Sequence, residues 1–493
     1  MHDLKVGRLR APAGGKPARR WLSRDSIFWL VLVAVLFLGA ELTPWLLRMP
    51  LGADEITYIA RTSARVSPVS LPPVHGQGAG LLAAPVTLLT TSLTALRVWM
   101  SVLSAIGMFL AVLCWRGLRP MWVLALGELI LASLAITQNS GVQVYPDWWG
   151  ALGTLALLGL FLHAVNGTMR DRLVLPLIAL ASLLIAVMRP QNVVFLMGPV
   201  IVAVLIVRQW RKIKIMIAMA AGIALGALEW VLGAYLWFGG LTERIHLAGQ
   251  EPPKLGVYNA VGLQLRYLNG PWYCDSNCHS WALPVETPWW IAFLAIAVLG
   301  VWAGWRSSMK SSTVLAAVTA AWVFLLYAFL VPFGAPRYLL PTLALMAILA
   351  ADGIAWAVTE SRWRQEAAIL AILFLVVGIV SQRAILQRQA DYQYDSRQFQ
   401  AQAVQLEKMG VHPPCVMLNP SIAWYIGCSA PWTTSGSNAE IMHQFLVQHT
   451  TTGPGGWKLF QLDGKLHPPA NPPPVVYLPA DSPLIKAQAS AGS

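Results

Sequence analysis

This sequence is short of charge. Only 12% of its 493 residues are Asp, Glu, Lys or Arg, about half the share in an ordinary soluble domain. That shortage, beside 56% hydrophobic residues, 23 Trp and 15 Met, excludes an ordinary cytosolic enzyme and a disordered chain. Familiar motifs are missing too: no Walker sequence, zinc signature, Rossmann fingerprint or Ser-centred nucleophile elbow stands in its proper structural context. No internal repeat of useful strength is visible. What remains is a membrane protein. Its 35 Lys and Arg against 22 Asp and Glu give a formal net charge of +13. In a soluble protein that excess suggests nucleic acid, but in a membrane protein basic residues collect on the cytoplasmic side.

A spanning helix takes about 20 apolar residues. Eleven apolar stretches qualify, beginning near Ile27, Arg97, Met121, Trp148, Leu173, Val193, Ile213, Trp289, Thr313, Tyr338 and Ala367, and the two flanking Arg189-Pro190 are short. The expected fold is therefore all-α and polytopic, with about 11 transmembrane helices. The breaks alternate in character. Those at the N-terminus, Arg116/Arg119, Arg170/Arg172, Arg208 to Lys214, Arg306/Lys310 and Arg362/Arg364 hold nineteen cations and five acids, which marks them as cytoplasmic. The other breaks, and everything after about Arg388, are then extracytoplasmic. The first stretch, Ile27 to Leu47, is too long for a typical signal-peptide core and lacks a small-residue cleavage pattern. It is expected to stay as an anchor with the N-terminus cytoplasmic.

Three regions follow: a basic cytoplasmic tail (1–26), a multi-pass membrane domain (27–386) and a small extracytoplasmic α/β domain (387–493). In the last, the Gln-rich segment from Gln382 to Gln405 reads as a polar helix leaving the membrane. Short strands are expected at Cys415 to Leu418 and Val475 to Leu478. Cysteine usage agrees with the sidedness. Cys114 stands alone at an inner helix end, whereas Cys274/Cys278 and Cys415/Cys428 form close pairs on the outer side, where disulfides persist. A metal site at Cys274, Cys278 and His279 lacks an evident fourth ligand.

Ionisable groups at the membrane face carry the most functional weight, because charge near hydrocarbon is costly. Asp54 and Glu55 follow directly on the first span, in a short amphipathic helix. Adjacent acids repel, so one pKa is expected to rise, as suits a general base or a metal ligand; the plain alternative is a helix N-terminus that favours acids. Asp147, in Tyr145-Pro146-Asp147-Trp148-Trp149, is a helix cap or a third carboxylate on the same face. Arg189 and Arg337 lie at outer span ends, against the charge bias. A guanidinium there suits a phosphate or pyrophosphate head group, unless it only snorkels to lipid. His75, Tyr145, Tyr338 and Gln191 are further candidates for substrate contact. Glu41, Glu128, Glu229 and Asp352 fall within spans and motivate a rival class, a transporter or lipid-linked-sugar flippase. A non-catalytic assembly protein is a third reading.

The ordered set of Asp54-Glu55, His75-Gly76 followed by Leu81-Leu82-Ala83-Ala84-Pro85, Tyr145-Pro146-Asp147, Arg189-Pro190 and Pro336-Arg337-Tyr338-Leu339-Leu340-Pro341 resembles the GT-C superfamily of integral-membrane glycosyltransferases. The likeness is to the branch containing protein O-mannosyltransferases and lipid A aminoarabinose transferases, and it covers roughly residues 25 to 360. It implies hexosyl or pentosyl transfer, with inversion, from a polyprenyl-phosphate donor to a glycan, lipid or protein acceptor at the outer face of the cell membrane. By that resemblance Asp54 is the base, Glu55 and Asp147 orient the acceptor or hold a divalent cation, and Arg189 and Arg337 neutralise the departing phosphate. The small C-terminal region and the cysteine-bearing loop from Gly239 to Pro288 depart from better-known members. Both places tend to meet the acceptor, so sugar and acceptor identities are not carried over.

Overall fold

The structure, a computed structural model, describes residues 26–63, 72–250, 255–269, 286–392, 394–417, 419–428, 458–460 and 476–491. The expected basic tail, except its last residue, and the Cys274/Cys278 pair lie outside the described residues. In chain order the helices are α1 (Phe28–Glu41), α2 (Pro44–Leu47), α3 (Ala53–Ala60), α4 (Gly78–Thr87), α5 (Leu93–Leu113), α6 (Met121–Ser133), α7 (Ala135–Val142), α8 (Pro146–Asn166), α9 (Asp171–Met188), α10 (Asn192–Ile206), α11 (Ile213–Trp237), α12 (Leu241–Gln250), α13 (Val261–Tyr267), α14 (Glu286–Trp305), α15 (Lys310–Leu330), α16 (Leu340–Thr359), α17 (Arg364–Tyr392), α18 (Tyr394–Lys408), α19 (Pro420–Ile426) and α20 (Pro483–Ala491).

All eleven apolar stretches are helical, but they differ in length. Among the described residues eight helices are long and apolar enough to cross a membrane, or nine if the bent pair α6/α7 is one span. Two of the eleven expected stretches, in α1 and α10, form shorter apolar helices. At about 1.5 Å per residue, α1 with 14 residues and α10 with 15 extend only about 21–23 Å, against a hydrocarbon core of about 30 Å. The α6/α7 pair bends by 76° at Leu134, whose backbone is extended. α7 carries Thr137-Gln138-Asn139-Ser140, and Gln382 of α17 accepts its first free N–H, from Ala135, at 3.0 Å.

α8 and α16 form the centre. Both are apolar all round and buried along nearly their whole length, as a helix without a polar face must be inside a protein or membrane. α11 packs along α9, and α14 along α16. The outward faces of α11, α14 and α17 expose Leu225, Leu228 and Leu232, Ile291, Leu294 and Val298, and Ile369, Ile372 and Val376. Apolar side chains at helical spacing on the exterior describe a lipid-facing surface. The protein is a multi-pass membrane protein. Asp352 at the far end of α16 pairs with buried Arg119, which also donates to Ser312 Oγ at 2.8 Å. This acid therefore has a structural partner.

The C-terminal part carries a three-stranded antiparallel sheet of β1 (Val416–Met417), β2 (Lys458–Phe460) and β3 (Val476–Leu478), in the order β1-β3-β2. The β1 and β3 positions match the two short strands expected from sequence. A disulfide joins Cys415 to Cys428, flanking α19. The boundary expected after residue 386 lies within α17, which continues to Tyr392. Ala403, Leu406, Val411, Met417, Ile422, Val476 and Leu478 form a second core that also includes Ala60 of α3. The C-terminal unit is consequently packed on the helix that bears Asp54.

Close packing of α14 on α16 depends on two glycines. A Cβ at Gly300 would fall 1.8 Å from the Leu349 carbonyl, and one at Gly353 2.3 Å from the Ile296 carbonyl. Gly300→Val is expected to lower the unfolding temperature in detergent, with a cost of about 1–3 kcal/mol for overpacking. Gly39→Ala, which meets nothing within 4 Å, serves as the unaffected control.

Candidate active site

Four short segments converge at one end of the membrane domain. α3 begins at Gly52, where Glu55 reaches back to accept the Gly52 N–H at 2.9 Å and closes the first turn. Successive residues on a helix point about 100° apart, so Asp54 and Glu55 face different ways. Glu55 is fully buried against Arg97 of α5, with Oε1 to Nη1 at 2.5 Å and Oε2 to Nη2 at 2.9 Å. It also accepts the Val144 N–H at 2.8 Å. Arg97 completes its shell on the carbonyls of Met49, Pro50 and Val142. Glu55 is therefore not the second member of a carboxylate pair sharing one space with Asp54. Its oxygens are taken up in joining the first loop to α5 and to the start of α8, which also leaves it unfit for holding a cation.

Asp54 faces the other way and meets Arg337, Oδ2 to Nη2 at 3.0 Å. The same guanidinium approaches Asp147 through Nε at 3.3 Å, and Arg189 reaches the other oxygen of Asp147 at 3.5 Å. Each residue arrives by a local rule. Pro190 restricts the residue before it, so Arg189 ends α9 in extended conformation (φ −157°, ψ 126°) and its side chain leaves the helix. Pro146 opens α8 and puts Asp147 in the first turn, where the helix dipole favours a carboxylate. Arg337 stands in a 3₁₀ turn, Pro336–Leu339, leading into α16. Arg337 lies 4.5 Å from the Tyr145 ring and 5.5 Å from that of Tyr338, and Arg189 lies 5.6 Å from Tyr338. Aromatic faces at these distances support cations in a desolvated site.

The two arginines and two aspartates balance in charge, and they differ in access. The Arg337 side chain is 7% exposed, whereas that of Asp54 is 46% exposed. Asp54 is thus the carboxylate that an incoming molecule can reach. Burial works to raise its pKa, but neighbouring charge, Arg337 foremost, outweighs burial and holds the carboxyl below its ordinary value of 3.8. For Asp54 this is the reverse of the rise expected at an acidic pair, since its neighbour is turned away and a guanidinium stands in its place.

His75 enters from the loop before α4. Arg244, fully buried, donates to the carbonyls of Pro73 and His75 at 3.0 and 2.9 Å, and Glu229 accepts the Gln77 N–H at 3.0 Å. Gly76 lets this loop press on α9, since a Cβ there would lie 2.4 Å from the Val187 carbonyl. The His75 ring sits 5.3 Å from Tyr58, and its Nδ1 is buried without a hydrogen-bond partner among the described residues. Burial, reinforced by Arg189, pushes its pKa down to about 3, against the pull of Asp54. Gln191 stands just before α10 and makes no capping hydrogen bond.

Three residues of this region were not singled out from the sequence. Tyr58 follows Asp54 by four positions and shares its helix face. Arg97 is a lone charge inside an apolar run, itself a signal of a buried partner. Arg244 belongs to an ordinary-looking polar helix, and only the tertiary contacts expose its part. For a divalent cation the residues do not fit: Arg337 bridges Asp54 and Asp147, and no group of three or more His, Cys, Asp or Glu that could hold a metal occurs among the described residues.

The fold is shared with solved structures of integral-membrane proteins over most of its length. In particular, the chain is similar in structure to ArnT from Cupriavidus metallidurans bound to undecaprenyl phosphate. That likeness has a TM-score of 0.60 at 14% identity and covers 91% of this chain and 97% of that one. The apo state of the same protein gives a TM-score of 0.58 at 13% identity, covering 88% and 89%. No protein-family model and no curated protein matches the sequence.

Two outcomes are expected. Glu55→Gln should leave Arg97 as a buried, uncompensated cation and cost about 3–5 kcal/mol, read as a fall in the detergent unfolding temperature larger than that of Asp54→Asn. The second concerns acid. A neutral buried histidine with a depressed pKa leaves the unfolded chain binding more protons between pH 6.5 and about 3, so its contribution to stability falls as pH falls through that window. Asp54 adds to the loss in the same direction only below its ordinary value of 3.8. His75→Gln should flatten the decline of unfolding temperature between pH 6.5 and 4.

Proposed function

We propose that this protein transfers a sugar, with inversion, from a polyprenyl-phosphate donor to an acceptor hydroxyl at the extracytoplasmic face of the membrane, its N-terminus being cytoplasmic. The observation that carries this reading is the meeting of Asp54, Asp147, Arg189 and Arg337 from four separate segments in one mutually paired cluster. The similar ArnT structure holds undecaprenyl phosphate, which supports a polyprenyl-phosphate donor here. The basic bias of the opposite helix ends supports the sidedness.

The chemistry follows from the pairing. A phosphate entering the cluster competes with Asp54 for Arg337, and Arg189 offers a second guanidinium nearby. Asp147, held between both arginines, keeps them oriented. As Arg337 turns to the phosphate, Asp54 loses the neighbour that depresses its pKa and becomes a stronger base. The acceptor oxygen then attacks the anomeric carbon while the bond from that carbon to the phosphate oxygen breaks. Asp54 takes the hydroxyl proton, and the polyprenyl phosphate departs with its electron pair against Arg189 and Arg337. Glu55 serves this reaction indirectly, by fixing α3 through Arg97. Two of the four acids behind the transporter alternative have other work: Asp352 pairs with Arg119, and Glu229 holds the His75 loop.

Purified protein should be assayed against a panel of polyprenyl-phosphate sugars with radiolabelled hexose or pentose. Asp54→Asn is expected to lower kcat by about 10²–10⁴-fold, the range for a general base, with the protein still folded and inserted. Arg337→Ala and Arg189→Ala should raise the KM for donor. Full activity in Asp54→Asn would remove the base, and unchanged donor KM in both arginine variants would remove the phosphate clamp.

A further inference from the structure

The C-terminal unit touches the segment that carries Asp54 at both ends. Before α3, the hydroxyl of Tyr425 accepts the Leu51 N–H at 3.0 Å across 374 residues of sequence. At its last residue, Ala60 is buried in the core of the C-terminal unit. Leu51 is itself buried and adjoins Met49 and Pro50, whose carbonyls Arg97 gathers. The loop is thus held from the membrane side by Arg97 and from the C-terminal side by Tyr425.

α19, which bears Tyr425, is unusually constrained for seven residues. Asn419 caps its first turn by accepting the Ser421 and Ile422 N–H groups. Gly427 ends it in left-handed conformation at φ +86°, and the Cys415–Cys428 disulfide ties its far end to β1. Trp424 is buried in the core of the membrane domain while Ile422 and Ala423 lie in that of the C-terminal unit. A helix shared between two cores and crosslinked beside its end can present one hydroxyl at a fixed place.

We infer that the C-terminal unit positions the catalytic helix, with Tyr425 as the positioning residue and the Cys415–Cys428 disulfide as its anchor. This rests on the transferase reading for its kinetic consequence, though not for its geometry. Losing the hydroxyl leaves the Leu51 N–H unpartnered and frees the first turn of α3 to shift. A displacement of about 1 Å at a reacting group lowers rates by as much as 10²-fold.

The test uses the full chain in detergent or vesicles. Tyr425→Phe should lower kcat about ten-fold or more with donor KM unchanged and a modest fall in unfolding temperature, since the buried Leu51 N–H loses its partner. The pair Cys415→Ala/Cys428→Ala should lower kcat comparably, and combining it with Tyr425→Phe should add little, because both act through one contact. Wild-type kcat in Tyr425→Phe, losses that multiply in the combined variant, or a rise in KM alone would each overturn the inference. A second arm needs no transfer activity. In a Cys114→Ser/Cys274→Ser/Cys278→Ser background, maleimide labelling of Asp54→Cys should change rate several-fold when Tyr425→Phe is added. An unchanged labelling rate rejects the positioning role. A changed rate in a protein that transfers no sugar from the panel retains it and rejects the transferase reading instead.

Discussion

Arg337 is held between two carboxylates, and much of this end of the membrane domain is arranged so that this can happen. A guanidinium buried at a membrane face is tolerable only when its charge is balanced. Asp54 and Asp147 supply the balance, and the Tyr145 and Tyr338 rings supply polarisable walls. That requirement draws the start of α3, the start of α8 and the turn before α16 to one point. Asp147 then leaves an oxygen for Arg189, which brings the end of α9 into the same cluster.

Behind the cluster stands a second buried pair with a different character. Arg97 and Glu55 are fully enclosed, and their hydrogen bonds end on backbone groups of the surrounding segments. Such a pair gives location rather than reactivity, because there is no spare donor or acceptor to offer a substrate. The Asp54–Arg337 contact is the reverse: one partner is buried and the other reachable. In the proposed transfer the rigid pair keeps α3 in place while the reachable one changes partner. The difference between the adjacent acids Asp54 and Glu55 comes from a rotation of about 100° along a helix.

Much of this was legible in the chain itself. Low charge and eleven apolar stretches are enough for a polytopic helical membrane protein, since hydrocarbon leaves the backbone few options. Arg189 and Arg337 stood out because cations are scarce on that side, and Asp147 because a Pro-Asp start marks a helix N-terminus. Helix lengths were less legible. α1 is shorter than its apolar run, and the polar stretch Thr137 to Ser140 gave no sign that a 76° bend precedes it. Tyr425 could not be read at all, as it lies 374 residues from the loop it meets.

By itself, then, the sequence determined the class of environment, the helical fold and the residue types able to meet a phosphate, because hydrophobicity and charge bias are properties of local composition. Only the tertiary structure decided that Glu55 belongs to Arg97 and Asp54 to Arg337, that Asp147 serves two arginines, and that the C-terminal unit rests on α3. Pairing of charges depends on distance and direction in space, and residues so far apart along the chain acquire both only when the helices pack.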